Sequence, residues 1–105
     1  EYLADFVQST NLNSSLLFRP PYGKLTRVQH KQISQTHQVV FWSCLVGDYN
    51  ANVTQSAMQK RIKNAAFNGS IFVFHDSKKA FPQLKKILPW AIDYLKTEGF
   101  AFGVL

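Results

Sequence analysis

Residues 39–44 read Val39-Val40-Phe41-Trp42-Ser43-Cys44. All but Ser43 are apolar, with no alternation between an inner and an outer face. That pattern belongs to a strand covered on both sides, as in the parallel sheet of an α/β protein. Two further apolar runs, Leu16-Leu17-Phe18 and Ile71-Phe72-Val73-Phe74, predict strands over 16–18 and 71–74. Between the runs the period becomes helical. Residues 24–36 predict a polar helix with Leu25, Val28 and Ile33 facing inward. Residues 53–67 predict a helix with Ala57, Met58, Ile62, Ala65 and Ala66 as its buried stripe, ended by Gly69. The last helix has Pro82 in its first turn and Leu84, Ile87, Leu88, Ala91, Ile92 and Leu95 at helical spacing up to Lys96. Pro89 inside that pattern predicts a kink or a break into two pieces. A helix over 1–10, with Leu3, Phe6 and Val7 on one face, leads into a turn-rich stretch over 11–15. Gly99 stops the last helix and 100–104 predict a closing strand. The order is α, then β-α three times, then β, which argues a parallel sheet with right-handed crossovers.

At 105 residues the chain holds at most one small domain. An apolar fraction of 46% and an aromatic fraction of 14% exclude a disordered chain. The net charge of +6 sits on predicted helix faces: Lys60, Arg61, Lys63, Lys78, Lys79, Lys85, Lys86 and Lys96. Solvated helix faces account for such cations. Aromatics are not interleaved with them as a base-stacking platform needs, so no nucleic-acid partner is expected. If the charge has a role, an anionic cell-wall glycan suits it better. No apolar run is long enough to span a membrane. The lone Cys44 rules out an internal disulfide, and its apolar strand predicts a buried, inert thiol.

The residues that can carry chemistry stand where the predicted strands end. Arg19-Pro20-Pro21-Tyr22-Gly23 follows the first strand. Its prolines fix φ and remove two backbone donors, and Gly23 can take a positive φ. A rigid turn carrying an Arg and a Tyr at a strand's C-terminal end presents polar groups to a site. Gly47-Asp48-Tyr49 follows the second strand, and His75-Asp76 follows the third. A histidine there can pass a proton near neutral pH, and a carboxylate beside it fixes the ring's orientation. The plain alternatives are a Pro-Gly turn with a surface arginine, an ordinary loop aspartate and a buried histidine satisfied by backbone. Trp42 suits either the core or a sugar groove. His30 and His37 read as surface residues, too few for a metal site, and Asp76 as a loop or capping residue.

In order and spacing, the Arg19-to-Gly23 turn, the Trp42 strand with Asp48 and Tyr49, and the strand ending in His75-Asp76 resemble the last three motifs of the polysaccharide deacetylase family, the NodB-homology domain. The resemblance runs from about Leu3 to Leu105. It implies the C-terminal half of a distorted (β/α) barrel, so that 1–105 is a single partial domain. It also implies a parent enzyme that removes N- or O-linked acetyl groups from a carbohydrate polymer such as peptidoglycan or a chitin-like glycan, in the cell envelope or secreted. By that resemblance His75 is the general acid and Asp48 its partner, and Arg19 holds the catalytic base. Tyr22 contributes its backbone N–H to the oxyanion hole. Val73 packs on the acetyl methyl, and Tyr49 and Trp42 line the sugar groove. These residues are expected to share one rim where three neighbouring parallel strands finish.

The family's Thr-Phe-Asp-Asp-Gly stretch and His-x-x-x-His pair do not occur in this sequence. The divalent metal of the complete domain, zinc or similar, is therefore not expected on these residues. This portion alone is expected to be inactive and to pair with the missing N-terminal half or with itself through exposed barrel edges. The competing readings are a truncated homologue that only binds glycan or a partner protein and, further off, a basic nucleic-acid-binding domain.

Overall fold

The computed structural model describes residues 2–12 and 14–105. Glu1, at the start of the first predicted helix, and Asn13, in the predicted turn, lie outside the described residues. The chain divides into two compact units, Glu1–Phe41 and Trp42–Leu105.

In the first unit, helix α1 (Tyr2–Leu12) runs beyond the expected end. Its Phe6 ring sits edge-on to Phe18 at 4.9 Å and to His37 at 5.0 Å. These rings draw His37, expected at the surface, into a half-buried position. Val7, expected inward, is exposed. One residue from Phe6 on a helix is about 100° away, so both cannot face the same cluster. Strand β1 (Leu17–Phe18) pairs in parallel with β2 (Gln38–Val39). Helix α2 (Arg27–Ile33) is shorter than expected because a capping box fixes its start. Thr26 Oγ1 accepts from the Gln29 N–H at 3.2 Å, and Gln29 Oε1 accepts from the Thr26 N–H at 2.9 Å. Ile33 is fully buried as expected, whereas Val28 is exposed.

In the second unit, β3 (Cys44–Leu45) pairs in parallel with β4 (Phe72–Val73). Helix α3 (Gln55–Ala65) is capped by Thr54, whose hydroxyl accepts from the Ala57 N–H at 3.0 Å. Helix α4 (Phe81–Thr97) packs against α3. Cys44, Val46, Met58, Ile62, Ile87 and Ala91, from β3 and the residue after it, α3 and α4, form one buried cluster. Cys44 is buried as expected, and burial pushes its thiol up, outweighing the lowering effect of the Arg61 charge.

Three expectations are corrected. The stretch 39–44 is not one strand: only its ends find a neighbouring backbone, and Phe41 is exposed. An apolar run makes a strand only over the length that a partner can bond. Of the kink or break expected at Pro89, the break does not occur: α4 is one helix with Pro89 inside it. Pro89 is exposed, so water can serve the carbonyl four residues back that its ring cannot bond. Residues 100–105 form no strand; the Phe100 N–H instead donates to the Leu95 carbonyl at 2.9 Å and closes the helix end. Among the described residues the arrangement is thus mixed α/β, four helices with two separate two-stranded parallel sheets. Among the described residues no helix is long and apolar enough to cross a membrane.

Candidate active site

In the second unit, Asp48 lies three residues past the end of β3 and His75 two past the end of β4. Because the two strands are parallel, both residues leave the sheet at the same, C-terminal, end. Asp48 is 0% exposed. Its Oδ2 accepts from the His75 backbone N–H at 2.7 Å, and its Oδ1 lies 2.9 Å from His75 Nδ1. A buried carboxylate without partners is costly, and two short bonds to one residue are what make the position tolerable. An ionised carboxylate only accepts, so Nδ1 carries the proton of that bond and Nε2 is left for other partners. The His75 side chain is 34% exposed. The Tyr49 ring stands edge-on to it at 4.8 Å.

The loop carrying Asp48 is fixed from both sides. Gly47 has φ +92°, and a Cβ there would collide with the Arg61 guanidinium. Arg61 Nη1 donates to the Val46 carbonyl at 3.1 Å. On the far side, Gln83 Nε2 donates to the Asp48 carbonyl at 3.2 Å and to the Asn50 carbonyl at 2.6 Å. Gln55 Nε2 in turn donates to the Gln83 carbonyl at 3.2 Å.

The structure therefore brings Asp48, Tyr49 and His75 together. Trp42 lies ahead of β3 in the same unit and is half-buried. Val73, in β4, is 5% exposed, which sets it among the core side chains. Asp76 is exposed. Arg19 and Tyr22 belong to the first unit, directly after β1. There Pro21–Gly23 forms a single 3-10 turn, and the Gly23 N–H donates to the Pro20 carbonyl at 3.0 Å. Gly23 takes the expected positive φ, +65°, and so does Tyr22, at +56°. A left-handed aromatic residue is an outlier of the kind that collects at functional sites. Arg19 is exposed.

Gln83, Gln55 and Arg61 were not singled out from the sequence as site residues. Gln83 did leave a signal. It stands on the inward stripe of α4, between buried Ala80 and Ile87, where a polar side chain needs a partner. Among the described residues no group of three or more His, Cys, Asp or Glu converges as a metal site. Both Asp48 oxygens are already engaged by His75.

In comparisons with known proteins, no family model matches this chain and no curated protein matches it.

Proposed function

We propose that this chain is part of a polysaccharide deacetylase and supplies its general acid. One observation carries the reading: a buried carboxylate gives both oxygens to a single histidine where two paired parallel strands end. Asp48 fixes the ring with the proton on Nδ1, so that Nε2 is the atom that exchanges a proton with substrate. With Nε2 protonated, His75 gives that proton to the sugar nitrogen or oxygen as its bond to the acetyl carbon breaks. Tyr49, edge-on to the imidazole, limits the directions from which a leaving group can approach it.

In the same reading Arg19 pairs with the catalytic base, the Tyr22 amide stabilises the oxyanion, and Trp42 contacts the sugar. The partner is an acetylated polymer such as peptidoglycan or a chitin-like glycan, and the fold is the C-terminal half of a distorted (β/α) barrel. The divalent metal that the resemblance implies, zinc or similar, belongs to the complete domain; no group of the described residues has the donors to hold it.

The test combines this chain with an N-terminal half that carries the Asp-Asp motif and the His-x-x-x-His pair. Acetate release from acetylated chitin oligomers and peptidoglycan is the readout. The expected result is release by the combination that falls at least about a hundredfold in His75→Ala. No release, or release that His75→Ala leaves untouched, refutes the reading. Retention on the glycan without acetate release would make the chain a binding module instead.

A further inference from the structure

We infer that Gln83 is the positioning residue of the Asp48–His75 pair, acting through the backbone of the loop that carries the carboxylate. The inference rests on the proposed proton transfer for its meaning, and on geometry alone for its existence. A glutamine amide has two N–H donors on one nitrogen. In Gln83 both are directed at one loop, to the carbonyls of Asp48 and Asn50, two residues apart. Each acceptor is a carbonyl oxygen, so only the nitrogen end of the amide can face them and the side-chain orientation is chemically fixed.

Three features separate this contact from an ordinary surface bond. It joins residues 33 and 35 positions apart in sequence, so it ties α4 to the loop after β3. It acts on the backbone of the one charged residue that is fully buried among the described residues. And Gln83 is itself held: Pro82 precedes it in the first turn of α4, and Gln55, at the start of α3, donates to its carbonyl. On the other side of Asp48, Arg61 holds the Val46 carbonyl. The carboxylate is thus set by bonds on both flanks, and Gln83 supplies those on its C-terminal side. A shift of the Asp48 backbone lengthens both bonds to His75, which are at 2.7 and 2.9 Å. Loss of the Nδ1 bond lets the neutral ring carry its proton on either nitrogen and turn about its side-chain bonds, so neither the tautomer nor the direction of Nε2 stays fixed.

The test reads the imidazole directly and needs no catalysis. The His75 side-chain nitrogens are assigned by long-range nitrogen–proton NMR on the full chain, in the neutral ring form. Wild type is expected to hold the proton on Nδ1. In Gln83→Met, similar in length but without donors, the Nδ1-to-Nε2 ratio is expected to fall about fivefold, the equivalent of one ordinary hydrogen bond. Ala91→Gly, which weakens α4 two turns away, serves as the structural control. It is expected to lower the melting temperature by a similar amount and leave the ratio unchanged. An unchanged ratio in Gln83→Met overturns the inference, as does an equal fall in Ala91→Gly. Where Gln83→Met fails to fold, scalar couplings across the hydrogen bonds from the Gln83 amide to the Asp48 and Asn50 carbonyls in wild type are read instead. Their absence is equally fatal and their presence supports the assignment. Acetate release plays no part in these outcomes, so the deacetylase reading and the role of Gln83 fail separately.

Discussion

Replacing Asp48 separates what its charge does from what its shape does. In Asp48→Ala, the His75 N–H and Nδ1–H both lose their acceptor. Each bond to a charged acceptor is worth about 1.5–3 kcal/mol. Two terms oppose that loss. A fully buried carboxylate costs several kcal/mol of desolvation, and its removal recovers this. The His75 ring is 34% exposed, so water can serve Nδ1. The uncompensated remainder is the half-buried backbone N–H of His75, which sets the cost at about 2 kcal/mol. Asp48→Asn behaves differently. Its carbonyl still accepts from the His75 N–H, and its NH2 can donate to Nδ1 once the ring carries its proton on Nε2. Both bonds survive in neutral form, so the expected cost is at most about 1 kcal/mol, with the tautomer inverted. Trp42 and Trp90 both lie in the second unit, so tryptophan fluorescence in urea reports on its unfolding, and nitrogen NMR reports the tautomer. Equal destabilisation by Ala and Asn, or an Asn variant that keeps Nδ1–H, would refute the reasoning.

Other outcomes follow from the same geometry. Gly47→Ala places a Cβ at φ +92° against Arg61 and is expected to cost about 2 kcal/mol, measured in the same urea titration. Tyr22→Gly is expected to change stability by no more than about 0.5 kcal/mol. Relief of the left-handed backbone at φ +56° offsets the extra freedom of glycine, and the ring is 90% exposed; a loss near 2 kcal/mol would reveal packing that the exposure denies. Burial holds the Cys44 thiol above its ordinary range. The folded chain therefore keeps a proton that the unfolded chain releases at about pH 8.5, so this group's effect on stability is absent below that pH. Above it, stability falls as pH rises towards the folded value. Urea titrations from pH 7 to 10 should show a steeper alkaline loss in wild type than in Cys44→Ala, and identical slopes would count against the shift.

The parts of the fold that were legible in the sequence are those decided by local pattern. The stripe through Met58 and Ile62 and the one through Ile87, Ala91 and Leu95 place α3 and α4 because a helix carries its inward face with it. Strands β1 and β4 fall inside the apolar runs 16–18 and 71–74, which end at turn residues. Strand length was not legible, since it depends on a partner backbone; hence the division of 39–44 and the unpaired 100–105. The exposure of Val7 and Val28 is of the same kind: apolar residues beside a stripe look inward until the packed neighbours are known. At the site, His75 and Asp48 could be read from their places after apolar strands. Their pairing came with the family resemblance, not from local pattern, and the grip of Gln83 came from neither, because contacts between residues 27 and 35 positions apart leave no local trace. Only the polar residue on the inward stripe of α4 hinted at the latter.

The account turns on His75 giving a proton to a leaving group, and leaving-group dependence measures that act directly. The combined protein, wild type and His75→Ala, is assayed on an acetamido sugar and on p-nitrophenyl acetate, whose phenolate departs without protonation. The account predicts a loss of about a hundredfold or more on the amide and little change on the activated ester. Equal losses on both substrates would contradict it.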